Sequence, residues 1–118
     1  MRRSNGAWTL VAVLAVGTAS AQVGLGFLAE TPLGRFNADD LKQMNEAIEK
    51  ALAAPDTGTP VRWANASTSS SGEVTPQRAF ENQGRPCRDL RVINRHRTLE
   101  SSGNYTLCRE NGRWSLTP

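Results

Sequence analysis

A single change of period near Thr59 does most to narrow what this chain can fold into. Before it, apolar side chains recur at helical spacing, with Leu41, Met44, Ile48 and Leu52 in one stripe and Ala47 and Ala51 completing it. Asn37 stands ahead of the stripe as an N-cap, and Asp39 and Asp40 fall in the first turn, where the helix dipole favours acids. Glu46 and Lys50 are placed i,i+4 on the wet side, Pro55 stops the helix and "PDTGT" turns the chain. The stripe predicts packing on a sheet, with a partner helix as the alternative.

After Thr59 the pattern alternates. "VRWAN" (61–65) puts Val61 and Trp63 on one face and Arg62 and Ala64 on the other. "ASTSSSG" (66–72) reads as a polar hairpin loop and "EVTP" (73–76) as a short strand, with Pro76 marking an edge or a strand end. "RAFEN" (78–82) offers Phe80 as its one large core candidate, and "CRDLRVINR" (87–95) is the longest strand. "NYTLCRE" (104–110), the tight-turn pair Asn111-Gly112 and "RWSL" (113–116) complete the set. The expected fold class is α+β: one N-terminal amphipathic helix packed on a small antiparallel sheet of about five strands. Trp63 and Trp114 alternate with Val61 and Leu116, which predicts core burial rather than a ligand platform.

The N-terminus carries an export signal. Arg2 and Arg3 precede an uncharged stretch over residues 4–29 whose apolar centre is "WTLVAVLAVG" (8–17), and Ala19-Ser20-Ala21 supplies the small residues of an A-x-A cleavage site. The expectation is a signal peptide over residues 1–21, a linker over 22–36 punctuated by Gly and Pro, and one small domain over 37–118. The alternative is an uncleaved membrane anchor over residues 8–29, long enough to cross a bilayer at about 20 residues. No cysteine follows the apolar segment, so no lipid anchor at a lipobox is expected.

Export bears on the only two cysteines, Cys87 and Cys108. An oxidising compartment lets them form and keep a disulfide. Zinc wants four ligands, and one histidine, His96, leaves the set too small, so no metal is expected. A redox couple favours C-x-x-C spacing, which this pair lacks. The expected staple closes a loop of about 20 residues and stabilises the domain by about 3 kcal/mol in the chain-entropy model. Alternation sends Arg88 and Arg109 to the face opposite their neighbouring cysteines, and to the same side of the sheet if their strands pair.

Charge is uneven. Residues 22–77 carry four bases (Arg35, Lys42, Lys50, Arg62) against seven acids, whereas residues 78–118 carry eight arginines against four acids. Arg88, Arg91, Arg95 and Arg97 are the candidate anion-binding residues, crowded beside Arg85 with Asp89 alone among them. In an exported chain the available anions are lipopolysaccharide, phospholipid headgroups and acidic polymers rather than nucleic acid. The alternative is a solvated face with local Arg–acid pairs. His96 lies between two arginines in "NRHRT" and reads as an exposed turn residue. There is no P-loop, no H-E-x-x-H and no G-x-G-x-x-G leading a helix, so neither an enzyme nor a cofactor is expected.

The order of these pieces resembles the C-terminal domain of the rickettsial-type common surface antigens, the seventeen-kilodalton surface antigen family. The resemblance rests on Trp63-Ala64-Asn65, Gly72-Glu73-Val74-Thr75-Pro76, the aromatic Phe80, Cys87-Arg88, Cys108-Arg109 and Gly112-Arg113-Trp114, and spans residues 37–116. Family members usually carry a lipobox cysteine and a long glycine zipper; here only Gly24, Gly26 and Gly34 hint at the latter. The resemblance implies a non-catalytic envelope protein of a Gram-negative bacterium, in the periplasm or at the outer membrane and cell surface. Its partners would be anionic envelope components or envelope proteins, with membrane association through the N-terminal segment. Two alternatives stand beside it: a periplasmic binding module or inhibitor of lysozyme-type hydrolases using "ASTSSSG", and an inner-membrane-anchored accessory subunit.

Overall fold

The computed structural model describes residues 31–117, and the expected signal peptide and its anchor alternative lie outside them. The elements are α1 (Pro32–Arg35), α2 (Ala38–Ala53), β1 (Val61–Asn65), β2 (Ser70–Asn82), β3 (Arg85–His96), β4 (Leu99–Glu110) and β5 (Arg113–Thr117). The strands form one sheet in the order β1-β2-β3-β4-β5, and each neighbouring pair is antiparallel. With the helix against this sheet and a Cys87–Cys108 disulfide, the α+β expectation is met.

Asn37 caps α2 as its position suggests. Its side chain accepts from the Asp40 N–H at 2.8 Å, while Asp40 Oδ2 accepts from the Asn37 N–H at 3.0 Å, a reciprocal capping box. Ala47, Ala51 and Leu52 are buried, whereas Met44 and Ile48 are only half-buried and Leu41 is exposed. The small alanines let α2 lie close over β1 and β2, which turns the longer residues of the stripe toward β4 and β5. Residues 32–36, read from the sequence as linker, hold a helical turn with Pro32 and Phe36 buried. The Phe36 ring meets Trp63 edge-on at 5.2 Å between centroids, as aromatic quadrupoles favour.

The strands begin earlier than expected at β2 (Ser70 rather than Glu73) and β4 (Leu99 rather than Asn104), and two further departures bear on the site. The segments read as "EVTP" and "RAFEN" belong to one thirteen-residue strand, β2, with a register shift between Pro76 and Ala79. Pro76 is tolerated there because Val61, the first residue of β1, pairs with Val74, so β2 has already run past its neighbour. The bulge also reverses the faces. Pro76 pairs with Leu90 on the helix side, but Phe80 pairs with Cys87 on the opposite side, so Phe80 is not in the core. Instead the Arg78 guanidinium stands 4.1 Å above the Phe80 ring.

The second departure is His96, which ends β3 rather than sitting in an exposed turn, and it is half-buried opposite Ser70. The Asn111-Gly112 turn forms as its sequence predicts, with φ of 54° and 77°, the left-handed pair of a tight hairpin. Cys87 and Cys108 are direct cross-strand neighbours in the row Phe80–Cys87–Cys108–Ser115, on the face away from the helix. β5 pairs only with residues 106–110 of β4.

Candidate functional site: a polar latch and an apolar groove

Two arrangements on the helix-facing side of the sheet can be asked what they do. The first is polar. Asp40 is fully buried and accepts four hydrogen bonds: Asn65 Nδ2 at 2.8 Å and Thr68 Oγ1 at 2.7 Å reach Oδ1, and Ser70 Oγ at 3.1 Å and the Asn37 N–H at 3.0 Å reach Oδ2. Burial works against the charge, yet the Asn37 N–H and the Thr68, Asn65 and Ser70 side chains outweigh it and hold the carboxyl below the usual aspartate value. Ser70 Oγ also lies 2.9 Å from His96 Nδ1.

Aspartate, serine and histidine in contact invite comparison with a nucleophilic triad, but the order is different. In a triad the imidazole stands between acid and hydroxyl and draws the proton off the hydroxyl. Here Ser70 stands in the middle and gives its one proton to Asp40, so its oxygen accepts from a His96 Nδ1–H. Ser70 is also 2% exposed, out of a substrate's reach. The cluster ties the start of α2 to the β1–β2 turn and to the end of β3.

The candidate arginines separate. Arg88, 7% exposed, faces the helix side, where its guanidinium donates to the carbonyl oxygens of Ala54 (2.6 Å), Gln77 (3.2 Å) and Asp56 (3.2 Å). It fastens the C-terminal end of α2 and the following turn to the β2 bulge, and a cation suits a helix C-terminus. Arg95, on the outer face, is held by Glu100 at 2.8 Å and Glu73 at 3.2 Å, and Glu100 foremost raises its pKa further. Arg91 is exposed on the outer face and Arg97 in the β3–β4 turn. Arg88 and Arg109 lie on one side of the sheet, opposite the cysteines, as alternation predicts.

The second arrangement is apolar and has no counterpart in the sequence reading. α2 covers β1 and β2 more than β4 and β5, which leaves a groove of about 910 Å³ between the helix and the last strands. Leu90, Val92 and Leu107 lie toward the sheet, Met44 and Ile48 line the helix wall, and Trp114, Leu116 and Tyr105 line the far side. Leu33 of α1 also lines it. The exposed large hydrophobics among the described residues are Leu33 (40%), Leu41 (37%), Tyr105 (46%) and Leu116 (65%). Three of them line this groove, and Leu41 lies one helical turn from Met44 and Asn45, which also line it.

Two buried polar atoms flank Gly72 in the cross-strand row Trp63–Gly72–Asn94: the Trp63 indole N–H and Asn94 Oδ1, neither with a hydrogen-bond partner. Among the described residues, no three His, Cys, Asp or Glu side chains come together as metal ligands, and no helix is long and apolar enough to cross a membrane.

These features define a disulfide-stapled helix-on-meander module whose buried polar groups serve as fastenings and whose exposed apolar residues gather at one groove. The family described as the 17 kDa outer membrane surface antigen matches residues 50–115, more than half of the chain, and the chain belongs to that family. No curated protein and no solved structure matches it.

Proposed function

We propose that the protein is an exported, non-catalytic component of the bacterial cell envelope that acts by binding, and that the groove between α2 and β3–β5 is its binding surface. The observation that carries this reading is the clustering of exposed large hydrophobics at that groove. Such residues scattered singly need no explanation, but a contiguous set marks an interaction site. Membership of an outer membrane surface antigen family supports the compartment. The A-x-A site before Gln22 supports export by a cleaved signal peptide.

The test places a photo-cross-linking amino acid at Leu116, with Ser102 on the outer face as control, in the full chain expressed in a Gram-negative host. The expected result is a mature N-terminus at Gln22, recovery with the envelope fraction, and capture from position 116 but not from 102. Cytosolic recovery, or equal capture from both positions, would overturn the reading.

A second contact is favoured by the exposure of Arg91 and Arg97, neither of which makes an ion pair among the described residues. These two are the remaining candidates for salt-sensitive contact with lipopolysaccharide or phospholipid headgroups. Binding to anionic vesicles that survives Arg91→Glu/Arg97→Glu would remove them.

A further inference from the structure

We infer that residues 23–29 of this chain pair along the open edge of β4 at residues 99–105, as a sixth strand in line with β5. The inference goes beyond the reading of the groove as a binding surface, because it says what closes one end of it.

β5 pairs with β4 only from Thr106 to Glu110. The seven residues 99–105 therefore have β3 on one side and, among the described residues, no strand on the other. Glu110 and Arg113 flank the two-residue Asn111-Gly112 turn and form its hydrogen-bonded pair, so the even-numbered residues of β4 turn their backbone N–H and C=O groups toward β5. Past Thr106 the same groups of Glu100, Ser102 and Asn104, all exposed, point at the open edge. Such a row is a template for another strand, and folded proteins blunt or cover it. Residues 99–105 hold no proline and no lysine to blunt it, and their one charge, Glu100, is engaged by Arg95.

The groove lies along one side of this edge. Gly103 and Tyr105 face the helix side in register with Val92 and Leu90, and the Tyr105 ring folds back over Gly103, its hydroxyl 2.9 Å from where a β-carbon would stand. A strand added here sets every second side chain beside Tyr105 at the end of the groove and the others on the outer face.

The occupant follows from what precedes α1. Residues 22–29, "QVGLGFLA", carry no charge, and Val23, Leu25 and Phe27 alternate with Gly24, Gly26 and Leu28. As a strand, residues 23–29 span about 23 Å, the length of the open stretch of β4. Glu30 and Thr31 are left to connect with α1, which packs over β3 and β4 and contributes Leu33 to the same groove. So short a tether holds the segment at an effective concentration in the millimolar range, ahead of a second copy or a free peptide.

The test is amide hydrogen exchange on the full exported chain, read by NMR, with Leu25→Asp/Phe27→Asp as the variant. Exchange at Glu100, Ser102 and Asn104 should be about a hundredfold slower in the wild type than in the variant. Nuclear Overhauser contacts from residues 23–29 to these three positions should identify the added strand. Ser101 and Gly103, whose N–H groups face β3, should stay protected in both chains and show that the variant is folded.

Equal exchange at the three positions in the two chains overturns the proposal. So does protection that rises with protein concentration, which assigns the edge to a second copy, and so does protection without contacts to residues 23–29. The two readings fall separately. Capture from position 116 with freely exchanging edge amides keeps the binding surface and removes the strand; slow edge amides without capture do the reverse.

Discussion

Trp63 and Gly72 are cross-strand neighbours packed so closely that a β-carbon at residue 72 would stand 2.5 Å from the Trp63 Nε1 and 2.8 Å from the Ile93 carbonyl oxygen. The second of these is backbone and cannot swing aside. Gly72→Ala therefore has to push the indole or the β2–β3 ladder, and such overpacking should cost about 1–3 kcal/mol. Urea unfolding of the variant checks this, and a midpoint unchanged from wild type would show that the contact relaxes freely. The same contact gives a physical reason for a Trp-x-Asn strand and a Gly-x-Val-Thr-Pro strand to occur together.

Arg88 and Arg91 differ by three positions and should differ sharply in consequence. Arg88→Met takes away the guanidinium that donates to the partly buried carbonyls of Ala54, Asp56 and Gln77, and a loss of about 1–3 kcal/mol is expected. Arg91→Met changes an exposed side chain and should stay within about 0.5 kcal/mol of wild type. Equal losses for the two would contradict the assignment of Arg88 as a fastening.

The disulfide predicts its own measurement. Replacing both partners, Cys87→Ala/Cys108→Ala, should lower stability by about 2–4 kcal/mol through the freer unfolded chain. The β3–β4 register should survive, because ten cross-strand pairs hold it, from Cys87↔Cys108 to His96↔Leu99. Amide exchange of Leu90, Val92 and Leu107 tests the second part, and their loss of protection in folded protein would refute it.

Asp40 sets a pH dependence whose direction follows from its lowered pKa. The folded state binds this proton less readily than the unfolded state, so ionised Asp40 contributes stability above about pH 4, the unfolded value. That contribution drains away as the pH falls through the lower folded value. Asp40→Asn should be less stable than wild type near neutrality, and the gap should narrow below about pH 4. A constant gap across urea titrations at several pH values would show that the carboxylate's charge is not the cause.

The period change near Thr59, the N-cap at Asn37, the Asn111-Gly112 turn and the cysteine pair were legible because each depends on a few neighbouring residues. The face of Phe80 was not. One added residue in the β2 bulge inverts every later side chain on the strand, and no local signal marked it apart from Pro76. For Arg88 the parity was readable from Cys87, but the α2–β1 connection lying over it is a tertiary fact. His96 was placed in a turn by its arginine neighbours, whereas a hydrogen bond to Ser70, twenty-six positions earlier, draws it into the strand. The groove was beyond reach for the same reason. It exists because α2 settles on Ala47 and Ala51 rather than centring on its larger side chains.

The strand order has a consequence for assembly. In a simple meander each strand pairs with the one made just before it, so every ladder closes across a short turn and nothing waits for a distant partner. Cys87 and Cys108 need only the middle hairpin to meet, so an oxidase can lock that hairpin before the helix is seated. The helix, emerging first, is the piece that must wait: its buried acid finds Asn65, Thr68 and Ser70 only once the first hairpin exists. Quenching refolding with a thiol-blocking reagent would expose that sequence of events. The bond should be complete while the Trp63 environment is still unformed.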